Sequence, residues 1–331
     1  MEIYVARNPY GFVPFPLSVD RLPLTPANAG GHDRYRRDLF SGTFDCKLRT
    51  RTLFCIKALF DKPNSKDPAY IPGSTLRGAV RSVAQALGAG CAAFVELKDV
   101  EVPKKLQPCR DNNACLVCRV FGYAPKKAEQ SWAGKVRFHS TLPIPVVWES
   151  PPSSPMPKPK PQRFLEEDPA QLAGWRVFRH AREIGLVGGQ IWCVPKDQEF
   201  SFLVDFQNLD AEELAVLRFA LSLRHQCATH NQHVQLCHKI GYAKASGLGS
   251  CQITVTEEPA AFLASTTRAL PATGCKIETY FKLPGWAKLR ELLDFEAAPQ
   301  TLLRPGSWLQ THDNASIAEF ETQHSATMTI P

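Results

Sequence analysis

Three cysteines lie close enough in sequence to share one metal ion. In Pro108-Cys109-Arg110-Asp111-Asn112-Asn113-Ala114-Cys115-Leu116-Val117-Cys118, a Cys-x2-Cys pair follows a first cysteine by six residues. Thiolates at that spacing can surround a tetrahedral zinc ion, and the Asp-Asn-Asn between them is turn chemistry that folds the loop back over it. A complete site needs a fourth ligand. Cys91 and His139 flank the segment and both qualify; the working set is Cys91, Cys109, Cys115 and Cys118. A second grouping, His225, His230, His233 and His238, is looser and suits a solvated loop as well as a metal. Cys46, Cys55, Cys193, Cys251 and Cys275 stand among apolar, strand-like neighbours and read as small core residues.

The chain that must position these groups has 331 residues, 44% hydrophobic and 21% charged, which provides a real core and excludes global disorder. No apolar run approaches the ~18 residues of a membrane span, and the opening residues carry no basic-then-apolar export pattern, so a cytoplasmic location is expected and a disulfide framework is not. Lys and Arg total 39 against 32 Asp and Glu, a formal charge of +7. From Glu291 onward there are six acids and one base, so the first 290 residues carry net +12. A basic body with an acidic tail suits a polyanion, RNA or DNA first.

Residues 1–41 form an extension rich in proline and aromatics. Thr43, Phe44, Leu48, Thr50, Phe54 and Ile56 mark a strand between Gly42 and Leu59. Ser74 is placed to cap a helix through Leu76, Val80, Val83 and Leu87 that stops at Gly88, with Arg77 and Arg81 on one face. Residues 91–130 read as an irregular insertion. Lys135 to Trp148 and Phe200 to Phe206 read as strands, Asp210 caps a helix from Ala211 to about Arg224, and a glycine-rich turn at 241–249 precedes a last strand, Cys251 to Thr256. The proline-rich stretch within 149–165 must project or link, because it cannot pack a core. The tail, 295–331, reads as flexible. The order β-α-insert-β-β-α-β predicts an α+β ferredoxin-like domain over 42–294.

At Ile71-Pro72-Gly73-Ser74-Thr75-Leu76-Arg77-Gly78-Ala79-Val80-Arg81 the chain resembles the RAMP superfamily of CRISPR-associated proteins. Further stretches resemble that superfamily in the expected order: Cys115 to Gly122, Gly174 to His180, Phe206 to Leu214, and His238 to Gly249. Pro9-Tyr10-Gly11-Phe12-Val13-Pro14 and His32-Asp33-Arg34-Tyr35 are similar to a subgroup found in type III systems of the D and E kinds. The resemblance spans about Asn8 to Leu293. It implies a ferredoxin-like, RNA-recognition type core and a backbone subunit of a type III effector. Such a subunit holds guide RNA (crRNA), pairs it with target RNA and contacts other CRISPR subunits in antiviral defence. Ser74, Arg77 and Arg81 would meet the RNA backbone at a helix start. Lys239, Gly241, Lys244, Gly247 and Gly249 would form a loop the RNA approaches closely. Lys158, Lys160 and Arg163 would belong to a "thumb" inserted between guide and target.

Cutting members of the superfamily use an aspartate after the first strand, which here points to Asp61 and then Asp67, with Mg2+ as the implied cofactor. In-line attack of a 2′-oxygen on the adjacent phosphate would be the endonuclease chemistry. The family's Gly-Gly-x-Asp pattern is missing from that loop. His32, with Arg34, Tyr35 and Arg37 nearby, offers metal-free guide processing by general base catalysis.

Overall fold

The computed structural model describes residues 9–24, 35–36, 38–56, 67–92, 102–110, 113–123, 131–151, 174–183, 191–224, 235–255, 261–262 and 274–299. His32, Asp61, the proposed thumb with Lys158, Lys160 and Arg163, and His225, His230 and His233 lie outside them.

Two long strands dominate, β3 (Phe40–Thr50) and β7 (Glu199–Leu209). Each alternates: Phe44, Cys46 and Leu48 in β3 and Phe200, Phe202, Val204 and Phe206 in β7 are buried, while Lys47, Arg49 and Leu203 face out. They pair antiparallel, with Phe44 stacked on Phe206 at a centroid distance of 4.7 Å. Three shorter strands extend the sheet, β5 (Val136–Phe138), β8 (His238–Lys239) and β9 (Ser250–Val255). The spatial order is β5-β7-β3-β9-β8, and β10 (Ala261–Phe262) pairs with the start of β3. The architecture is thus mixed helix and antiparallel sheet. The strand foreseen from Lys135 to Trp148 narrows to β5. Beyond it Pro143 and Pro145 lack amides for a ladder, and only an isolated bridge joins Ile144 to Ala69.

One sheet face is covered by α1 (Gly73–Ala84) and α3 (Ala211–Ser222), whose Leu76, Val80, Leu214, Leu217 and Leu221 share a single core with the strands. Cutting such a side chain to Ala costs about 2–5 kcal/mol. Asp210 caps α3 as foreseen, accepting from the Glu212 and Glu213 amides while Glu213 returns to the Asp210 amide. Ser74 does not cap α1. Pro72 occupies that position, and Ser140 Oγ accepts from the Gly73 amide at 3.2 Å. Glycine is required at 73 because a Cβ there would strike the Phe138 carbonyl. After α1 the chain makes one wide turn, Gln85–Ala89, closed by Gly88 at φ 106°.

The N-terminal segment is woven into this body. Strand β1 (Tyr10–Val13) pairs with β6 (Trp175–Phe178), and β2 (Arg21–Pro23) pairs with β4 (Asn113–Cys115), which leads into the short helix α2 (Leu116–Phe121). At the other end α4 (Gly274–Phe281) and α5 (Pro284–Leu293) complete the fold, α5 against the β1–β6 ribbon. Phe295, assigned from sequence to a flexible tail, packs on His180 and beneath the Arg51 guanidinium. Among the described residues no helix is long and apolar enough to cross a membrane.

Candidate metal centre and nucleic-acid interface

Strand β4 and helix α2 bring Cys115 and Cys118 beside Cys109, and the end of the wide turn after α1 supplies Cys91. All four are buried, with sulfur atoms within 4.8 Å of one another. Cys91 Sγ is 3.6 Å from Cys118 Sγ and from Cys109 Sγ. Four thiolates bound at about 2.3 Å to tetrahedral zinc stand about 3.8 Å apart, so the donor set and its spacing fit a structural zinc or similar ion. Backbone amides reinforce sulfur as acceptor: Cys115 N donates to Cys109 Sγ at 3.2 Å and Cys91 N to Cys115 Sγ at 3.4 Å. Hydrogen bonding among the four sulfurs lowers the Cys109 thiol and raises that of Cys118. His139, the other candidate for the fourth ligand, stands elsewhere, its Nε2 2.6 Å from Asp205 Oδ2 on the outer sheet face.

The cluster is tied to α1 by arginines expected to face RNA. Arg81 is only 8% exposed; it donates to the Gly122 carbonyl at 2.8 Å and lies 3.6 Å from Cys118 Sγ. Arg77 donates to the Phe121 carbonyl, and burial, then the neighbouring Arg81, lowers its pKa. Both guanidiniums therefore serve the carbonyl end of α2, where positive charge is favoured. This corrects the outward placement read from the sequence for Arg81 and for the head of Arg77.

The opposite side of α1 lines a groove of about 720 Å³. Ser74, Gly78 and Ser82 form one wall; Lys239, Gly241, Tyr242 and Lys244 of the glycine-rich loop and Trp175, Arg176 and Phe178 of β6 also line it. Three separated sequence motifs thus converge on one surface. Its cations are partly desolvated. Lys239 Nζ donates to Gly247 O at 2.8 Å and Ser250 Oγ at 3.0 Å, and burial, with Lys244 nearby, lowers its pKa to about 7. Lys244 lies 5.3 Å over the Phe178 ring, and Arg176 lies 5.4 Å from the same ring. Burial, and then their mutual repulsion in the case of Lys244, lowers both.

The glycines of the loop answer to the protein backbone. At φ 94° and 81°, a Cβ on Gly241 would strike the Cys55 carbonyl and one on Gly249 the Ile240 carbonyl. Gly247, at φ 93°, gives its carbonyl to Lys239. One other predicted residue stands apart. Asp67 is exposed, receives Trp148 Nε1 on its carbonyl and does not line the groove. His238 does line the groove, but it is buried and its ring pairs with the Leu221 carbonyl at 2.8 Å. Arg176 and Tyr242 were absent from the predicted binding set, although both lie inside motifs the sequence singled out.

Residues 60–250 match the family model of the RAMP superfamily. No curated protein matches the sequence. Among solved structures, the chain is similar to one in a type IV-B CRISPR complex, at 18% identity and a TM-score of 0.37, covering 70% of this chain and 96% of that one. It is also similar to a chain in the type III-B Cmr-beta complex bound to cognate target RNA, at 16% identity and a TM-score of 0.33, covering 65% and 61%.

Proposed function

The chain belongs to the RAMP superfamily of CRISPR-associated proteins, and from that premise we propose that it is a guide-RNA-binding backbone subunit of a type III effector. The observation that carries this reading is the convergence of Ser74, Lys239, Lys244 and Arg176 on one groove with Trp175, Phe178 and Tyr242 between them. Cations spaced among aromatic rings suit a single-stranded polyanion whose bases stack. Phosphates would meet the start of α1 and the loop cations, and pairing by the guide would supply sequence specificity.

The order β9-β3-β7-β5 supports a ferredoxin-like core over 42–294, interrupted by the 91–130 insertion. Zinc held by Cys91, Cys109, Cys115 and Cys118 would supply a closed structural crosslink with no open position for chemistry. The proposed thumb, and partner subunits around it, complete the reading.

Co-expression with a repeat–spacer array, followed by sequencing of co-purified nucleic acid, tests it. Discrete spacer-bearing RNAs are expected. Protein that carries none and binds no single-stranded RNA at low salt, alone or with partner subunits, would overturn it. On single-stranded RNA, Lys244→Ala should lower the slope of log affinity against log salt by about 0.7.

A further inference from the structure

Two buried cysteines outside the four-sulfur cluster face each other across a pair of extended segments. Phe54 N donates to Val194 O at 2.9 Å, and Val194 N returns to Phe54 O at 2.8 Å. That exchange makes Phe54 and Val194 a hydrogen-bonded antiparallel pair. One step along each segment puts Cys55 opposite Cys193 in the non-hydrogen-bonded position. There Cα atoms stand about 4.5 Å apart and side chains share a face, inside the range of about 4.4–6.8 Å that a disulfide bridges.

The remaining backbone bonds agree with this register. Cys193 exchanges both its bonds with Glu149 on its far side, at 2.8 and 3.0 Å, and Cys55 O accepts from Tyr242 N at 3.0 Å. The two thiols share a small apolar cluster with Ile191 and Leu248, separate from the main core. A single buried thiol is ordinary filling; two in this register form a bonding site.

We propose that Cys55 and Cys193 are a reversible disulfide site, oxidised by a low-molecular-weight disulfide of the glutathione class. Cys55, whose thiol its neighbour Cys193 holds low, gives its proton to solvent and is the attacking sulfur. It breaks the S–S bond of the small disulfide, forms a mixed disulfide and expels one small thiolate. Cys193 passes its proton to that thiolate and attacks the Cys55 sulfur, expelling the second small thiolate, which takes up from solvent the proton Cys55 released. Protein dithiol and one small disulfide become one protein disulfide and two small thiols. Both sulfurs are fully buried, so opening of the 53–56 segment sets the rate. Phe54 and Ile56 line the groove and Cys55 O holds the loop at Tyr242, so the bond would fix one groove wall.

The test uses the native full chain in graded mixtures of oxidised and reduced glutathione. It is quenched with acid, alkylated after unfolding and mapped by mass spectrometry without reduction. A linked Cys55–Cys193 peptide pair is expected, with Cys46 still alkylated, and its reversal by dithiothreitol. Amides of Phe54, Val194 and Tyr242 should exchange hydrogen several-fold more slowly in the oxidised form. In Cys193→Ala, Cys55 should instead retain a glutathione adduct. Cys55 and Cys193 remaining free, or linking only to other cysteines, under conditions that oxidise the rest of the chain would overturn the site. The mapping needs no variant and no RNA, so its result stands apart from that of the RNA-binding tests.

Discussion

Arg119 Nε meets Glu213 Oε1 at 2.8 Å, joining the residue after the last cluster cysteine to the first turn of α3. Lys135 Nζ holds the other carboxylate oxygen at 2.7 Å, and all three side chains are buried. Removing one member of a buried ionic group strands its partners and costs about 3–5 kcal/mol. Glu213→Gln should therefore lower unfolding stability by about that much. Asp210→Ala, which removes the cap of the same helix, should cost only about 1 kcal/mol. Urea unfolding of the two variants checks the ratio; equal losses would mean Glu213 acts only as a capping residue.

The cysteine cluster predicts about one zinc per chain. Cys118→Ser should lose most of it, while Cys46→Ser, in the sheet core, should retain it. Elemental analysis of purified protein decides the matter, and less than about half a metal per chain in the unaltered protein would exclude the site.

Lys239 titrates near neutrality in the folded chain, with its pKa lowered from 10.5 to about 7 chiefly by burial. The unfolded chain therefore binds more protons between those values, so this group makes stability rise with pH from about 7 to about 10.5. Phosphate binding reverses the preference by favouring the ammonium. RNA affinity should thus fall as pH rises above about 7, by up to tenfold per unit, and Lys239→Arg should flatten the profile. Fluorescence anisotropy at constant ionic strength across pH 6 to 9 measures it.

Buried imidazoles act in the same direction at lower pH. Burial lowers His238 from 6.5 to about 4, and burial first, then Lys239, holds His180 well below its usual value. Folded pKa values below the unfolded one mean that stability is lost as pH falls from 6.5 toward 4, by about 3 kcal/mol for His238 alone. Thermal unfolding at pH 7 and pH 4.5 should show a marked drop that His238→Gln reduces.

Gly78 lies within α1, and a Cβ there meets nothing within 4 Å. Gly78→Ala should raise stability by about 0.8–1 kcal/mol through helix propensity. Gly78→Trp should keep the fold and fill the groove, weakening RNA binding at least tenfold. Calorimetry and a binding titration on the same samples separate the two effects.

Local chemistry made much of this legible. Asp210 and Glu213 announce their helix because a capping box needs only four adjacent residues, and three cluster cysteines fall within ten positions. The pair Arg77 and Arg81 shows why the rest was not. Their spacing states that they share a face, but what fills that face is the carbonyl end of α2, 40 residues away in sequence. Arg176 reaches the groove only because β6 pairs with β1 across more than 160 residues. Neither placement can be read from local pattern.

The central strand also sets a timetable for synthesis. Strand β3 meets Asp205 162 positions downstream and Thr254 207 positions downstream. One edge waits for β7, about two thirds of the way through the domain, and the other for β9 near its end, whereas the cysteine loop closes over 27 residues. Nascent chains must therefore carry an apolar strand with two open edges through most of translation, which makes this domain slow to fold and prone to aggregate when overproduced. Lys47 and Arg49 on its outer face supply charge along that exposed strand during the wait.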